Sequence, residues 1–237
     1  MIIIPPYVTY NFRISEVLNI NSFILTNSIK HDFSFLFPFF NIATLIISLG
    51  VIFFGRLFSR TFAILASINY FVSGLLQNIS LSDKHGFAIA LSTLFLALFV
   101  AGAWFFEISS NQNDFTKSPQ SKRIVVFVPI VLLAIWHPIN PSTLKPDFNP
   151  VYFLTSGSSL TFCMMTIISI SVLLAYYPKI NETTLIITSI VGLFVGIGNL
   201  WLEFIHMPDL FWVGILHIPL VCVSLIGISI ILRKTTK

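Results

Sequence analysis

Charge is what this sequence has least of. Only 9% of its 237 residues are Asp, Glu, Lys or Arg, against roughly a quarter in a soluble domain. A chain that is 56% hydrophobic, with a mean hydropathy of +0.92, cannot cover a water-facing surface. That excludes a soluble enzyme and a nucleic-acid-binding domain, and the formal charge of +4 asks for no nucleic-acid partner. Cysteine is nearly absent as well. Cys163 and Cys222 both lie in apolar runs, with no CxxC and no Cys/His cluster. The pair predicts buried free thiols rather than a disulfide, a zinc finger or a redox motif. No GxSxG elbow is present. No predicted span contains lysine, which excludes a retinal Schiff base. The last span holds one histidine, not the HxxxH pair of the ceramidase and adiponectin-receptor hydrolases. The start of the chain has no basic segment followed by a short apolar one, so no cleavable signal peptide is expected. No internal repeat is visible, which argues against an inverted-repeat transporter.

Long apolar runs are what is there. Residues 1–32 form a mixed N-terminal segment, in which Val17 to Ile29 reads as a short interfacial helix. Residues 33–237 read as an all-α, seven-helix transmembrane domain. The predicted spans are Phe33–Gly55, Thr61–Ile79, Gly86–Phe106, Ile124–His137, a segment within Tyr152–Tyr177, Thr184–Leu202 and Leu210–Leu232. The fourth is short and contains Pro129. Glu107 to Arg123 reads as the longest polar loop, and Asn140 to Pro150 as a rigid loop set by prolines. Seven spans place Arg56, Arg60, Lys117, Lys122, Arg123, Lys179, Arg233, Lys234 and Lys237 on one side. Arg13, Lys30, Lys84 and Lys145 fall on the other. Nine basic residues against four predict a cytoplasmic C-terminus and an outer N-terminus in a multi-pass cell-membrane protein.

The candidate site lies in the sixth span. Gly192, Gly196, Asn199, Glu203 and His206 recur at alternating four- and three-residue spacing, so they share one helix face. Its glycine half suits close packing against another helix, and Trp201 is expected opposite. Glu203 and His206, at i and i+3, permit a divalent metal to bind both, with His85 and His137 as further ligands. His217 is the unusual residue, because an imidazole inside a membrane helix is costly and normally partnered. Asn199 and Asn69 are buried-polar candidates for the same reason. Asn69, Ser73 and Gln77 form an inward face on the second span.

His137-Pro138-Ile139-Asn140-Pro141 before a Ser/Thr-rich helix, and Met207-Pro208-Asp209 between the last two helices, resemble an uncharacterised family of small prokaryotic integral membrane proteins. The resemblance covers roughly Phe62 to Ile228. It departs at Gly157-Ser158-Ser159, where that family has Pro-Cys-Pro. It implies a multi-span fold and no known activity. With catalytic motifs missing, the leading expectation is a non-catalytic binding or accessory subunit with membrane-protein partners or a second copy. The alternatives are an enzyme or metal site on the outer face built on Glu203 and His206, and a proton-coupled or small-solute transporter using His217.

Overall fold

The structure is a computed structural model and describes residues 4–115 and 121–235. It is 76% helical. In chain order the elements are β1 (Tyr7–Val8), α1 (Val17–Thr26), α2 (Phe37–Phe54), α3 (Arg56–Asn78), β2 (Ile79–Ser82), β3 (Gly86–Ile89), α4 (Leu91–Ser110), α5 (Ser121–Trp136), α6 (Tyr152–Thr155), α7 (Phe162–Tyr176), α8 (Glu182–Trp201) and α9 (Phe211–Thr235).

Among the described residues, four helical stretches are long and apolar enough to cross a membrane: Ile29–Phe54, Leu91–Ser110, Glu182–His206 and Pro208–Lys234. A fifth is counted if Tyr152–Leu160 and Phe162–Tyr176, bent by 90°, form one broken span. The remaining two expected spans are helical but differ in kind. Arg123–Trp136 is shorter. α3 carries Asn69, Ser73 and Asn78, all buried, so its polar residues lower its hydropathy while facing protein rather than lipid.

Three boundaries depart from the sequence reading. Gly86–Ile89 is a strand, not the start of a helix; it pairs with β2 and with β1 in a three-stranded antiparallel sheet. Gly86 turns the hairpin at a φ of +66°, a conformation that favours glycine. α1 packs Ile20 and Ile24 on this sheet, against Ala88 and Ala90. Second, the Ser/Thr run before α7 is no continuous helix but two short turns, and α7 begins only at Phe162. Third, α4 continues through Glu107, which is helical and buried rather than part of a polar loop. Its carboxylate accepts from Asn113 N at 2.8 Å, Asn181 Nδ2 at 2.6 Å and Ser110 Oγ at 3.1 Å. Asn181 in turn caps α8 through Thr183 N and Thr184 N. One carboxylate thus ties the end of α4 to the start of α8.

All fifteen residues of α7 are buried. It is the central helix of the main core, which explains why it shows no amphipathic stripe. Arg123 donates to the carbonyls of Leu174 and Tyr177 at its C-terminal end, satisfying acceptors that the helix leaves open. The glycine face of α8 meets α9 and α7. A Cβ on Gly192 would sit 2.7 Å from Ser224 Oγ and 2.8 Å from Thr166 Cγ2, and one on Gly196 2.9 Å from Val221 Cγ2. Of the cysteines, Cys163 is buried and Cys222 is exposed. The expectation of two buried thiols therefore fails for Cys222, which sits on the outward side of α9.

Two predictions follow from this packing. Gly192→Leu overpacks the α8–α9 contact and should cost about 1–3 kcal/mol. Trp201→Leu, at a side chain 40% exposed, should cost less than about 1 kcal/mol. Thermal unfolding in detergent distinguishes them, and equal losses would contradict the packing. In the loop before α6, Tyr152 Oη donates to Asp147 Oδ2 at 2.6 Å. This bond, with those from Asn140 and Asn149, holds the Asp147 carboxyl below the usual carboxylate range. A lowered folded pKa means the contribution is present at neutral pH and lost as pH falls through that lowered value. Tyr152→Phe should move the Asp147 midpoint upward in a carbon-detected NMR titration.

Candidate functional site

The site forms where the C-terminal end of α8, the start of α9 and the start of α7 meet. After Trp201 the helix widens into a π-turn over Leu202–His206, closed by Met207 N to Leu202 O at 2.8 Å. Pro208 follows and cannot extend the ladder, lacking an N–H. Widening the turn breaks the 100° stripe. Gly192, Gly196 and Glu203 are buried and Asn199 is half-buried, but His206 is exposed, its ring 4.1 Å from that of Trp201. Such π-turns are frequent at functional sites.

Glu203 Oε2 lies 2.9 Å from Nδ1 of His217, and both side chains are 8% exposed. The carbonyl of Val213 lies 3.0 Å from the same nitrogen. Two acceptors face Nδ1, so Nδ1 carries the proton. On the other side of the ring, Asn199 Nδ2 lies 3.1 Å from Nε2, so Nε2 accepts. The same amide group donates to Cys163 Sγ at 3.2 Å, so Asn199 bridges the imidazole and the thiol. His217, Asn199 and Glu203 thus come together with a cysteine that sequence reasoning set aside.

Cys163 is the second residue of α7. Thr161, the N-cap, does not cap the helix with its side chain. Its hydroxyl donates to Gly157 O at 2.8 Å and accepts from Lys30 Nζ at 3.1 Å. Gln77 Oε1 accepts instead from Phe162 N at 3.1 Å. A cavity of about 160 Å³ is lined by Lys30, His137, Tyr152, Gly157 and Thr161 among others. A comparable apolar cavity holds benzene.

The expected metal quartet is not assembled. Among the described residues no three His, Cys, Asp or Glu side chains are grouped to hold a metal ion. Glu203 is engaged by His217. His206 points outward because the π-turn rotates it away. His85 is buried in the β2–β3 turn, edge-on to Phe23 at 5.1 Å. His137, with φ +47°, ends α5 beside the cavity. Asn69 lies in the core, donating to Thr44 Oγ1 and Met165 Sδ, each at 3.3 Å. One signal would have found Cys163: the Gly-Ser-Ser-Leu-Thr break reads as a loop and an N-cap, which puts the thiol in a first helical turn.

The buried pair makes a third prediction. Glu203→Ala or His217→Ala alone leaves a buried polar partner and should cost about 3–5 kcal/mol. The double variant should cost less than the sum, with a coupling of about 1–3 kcal/mol. Denaturant unfolding of the four proteins in mixed micelles measures it, and additivity within about 0.5 kcal/mol would mean that the contact is not made. No protein-family model matches this sequence, and no curated protein or solved structure is found to be similar to it.

Proposed function

We propose that this chain is a multi-pass membrane enzyme whose reacting base is His217, held by Glu203 near the outer surface of the membrane. The reading takes α2, α3, α4, α5, α7, α8 and α9 as seven spans with the C-terminus in the cytoplasm, supported by the bias of basic residues toward that side. The observation that carries the function is the 2.9 Å contact between two buried titratable side chains. Helix packing does not need it, since apolar residues of similar volume usually serve as well or better. An imidazole protonated at Nδ1 against a carboxylate, with Nε2 unprotonated and held by the Asn199 amide, which must swing aside for Nε2 to take a substrate proton, is the arrangement of a general base.

The accessory-subunit reading rested on missing catalytic motifs and on small-residue packing faces. The glycine face of α8 has a partner within the chain, at Ser224 and Val221 of α9. The metal-site reading lacks its ligand set among the described residues. A transporter would use the same pair to carry protons across the bundle, and proton flux into proteoliposomes that His217→Ala abolishes would favour it.

The test is to incubate a total membrane extract with purified protein and to compare small molecules, lipids and released peptides by mass spectrometry. Wild-type protein should consume at least one species that the His217→Ala protein leaves untouched. Identical profiles for the two proteins would refute the enzyme reading.

A further inference from the structure

From the cavity at the end of α5 we infer a binding site for a phosphate group, with the Lys30 ammonium as its cationic anchor. The site stands apart from the Glu203–His217 pair and needs nothing of it. The cavity holds about 160 Å³. Its lining runs from exposed residues, among them His31, Pro141 and Leu144, to Lys30, Gly157 and Thr161, which are half-buried. It therefore opens at the protein surface and narrows onto the lysine.

A lysine at a membrane surface ordinarily extends its head toward water or headgroups. Lys30 turns inward instead. Its Nζ donates to Thr161 Oγ1 at 3.1 Å and stands 5.8 Å from the centre of the Phe37 ring. Gly157 makes the room: a Cβ there would lie 3.2 Å from Nζ and 3.0 Å from Phe37 Cζ. An ammonium carries three N–H donors, and Thr161 takes one of them. Among the described residues Lys30 has no carboxylate within ion-pair distance. Asp147, in the loop before α6, is engaged by Tyr152 and Asn140. Asp32 is exposed and does not line the cavity. A half-buried charge without a counterion is costly, and a bound anion offsets that cost.

The rest of the lining decides which ligand fits. Its hydroxyls are already committed as donors: Tyr152 Oη to Asp147, Thr155 Oγ1 to Val151 O, Ser156 Oγ to Ile135 O and Thr161 Oγ1 to Gly157 O. The uncommitted polar groups are nitrogen donors. They are the remaining N–H bonds of Lys30 and the rings of His31 and His137, neither of which has a side-chain hydrogen bond among the described residues. A ligand here must accept hydrogen bonds and carry negative charge. Phosphate meets both demands, and lysine binds it as a point charge. A planar carboxylate offers fewer oxygens than a tetrahedral phosphate to donors that come from separate segments, α5 and the turn before α2. A cavity of this size can hold a benzene molecule, so it has room for a phosphate group. Inorganic phosphate, a phosphate ester and an anionic lipid headgroup all present that group.

The experiment uses the purified full chain in maltoside detergent and phosphate-free buffer. The thermal midpoint is followed as inorganic phosphate is added at constant ionic strength, and separately as phosphatidic acid replaces phosphatidylcholine in mixed micelles. Inorganic phosphate should raise the midpoint to a plateau. Lys30→Met, which keeps the stem and removes the charge, should weaken phosphate binding about tenfold or more, as the loss of one charge-assisted hydrogen bond does. Lys30→Gln replaces it if the methionine protein does not fold. Lys84→Gln, which removes a charge from the β2–β3 turn, should leave the affinity unchanged. A midpoint raised by phosphatidic acid and not by inorganic phosphate, and only with Lys30 in place, assigns the site to a lipid headgroup. The inference is overturned if neither probe moves the midpoint, or if Lys30→Met binds as tightly as wild type. Equal weakening by Lys84→Gln would mean general charge attraction and overturns it too. None of these outcomes depends on His217, so this site and the enzyme reading stand or fall separately.

Discussion

A polar group inside an apolar bundle can draw a partner only from the chain itself, and α7 is where that constraint is concentrated. It is buried along its whole length, yet it carries Thr166, Ser169 and Ser171, of which the Ser169 and Ser171 hydroxyls have no hydrogen-bond partner among the described residues. Thr166 answers by bonding back to Phe162 O at 2.7 Å and accepting from Tyr70 Oη at 3.2 Å. Around it, α2 contributes Thr44 and α3 contributes Asn69. The polar residues of α3 thus follow from what it packs against. A helix beside a polar central helix must itself be polar on that side, and it pays for this with a lower hydropathy than a lipid-facing helix would show.

Two buried glutamates show how the same side chain takes different roles from its surroundings. Glu107 accepts from a backbone N–H, a carboxamide and a hydroxyl. All three donors are neutral and none is a base, so the carboxylate is a fixed anchor between α4 and α8. Glu203 faces an imidazole instead. Both carboxylates are buried, but only the second is paired with a titratable side chain.

The helices were legible because periodicity and run length report them directly: α2, α8 and α9 fall close to the segments expected from apolar runs. The inward turn of Asn199 and Glu203 was legible for the same reason, since spacing fixes a face. What was not legible depends on departures from regular geometry. A strand at Gly86–Ile89 reads as apolar as a helix start does when the run is short. The outward rotation of His206 needs the π-turn, which no periodicity announces. Cys163 reads as core in an apolar run; its contact with Asn199, 36 residues away in sequence, is made only by packing.

The π-turn also explains how the site can exist at all. A regular helix through Leu202–His206 would carry Glu203 and His206 on one face and set both toward α9. The extra residue in the turn separates them. Glu203 stays inward to meet His217, while His206 moves outward to Trp201. The close approach that brings α9 within reach of Glu203 comes from about two to three turns earlier in α8, where Gly192 and Gly196 leave room for Ser224, Leu220 and Val221. The glycine half of the stripe and its polar half therefore act together. The first draws α8 and α9 close enough for a carboxylate to touch an imidazole, and the second supplies the groups that touch.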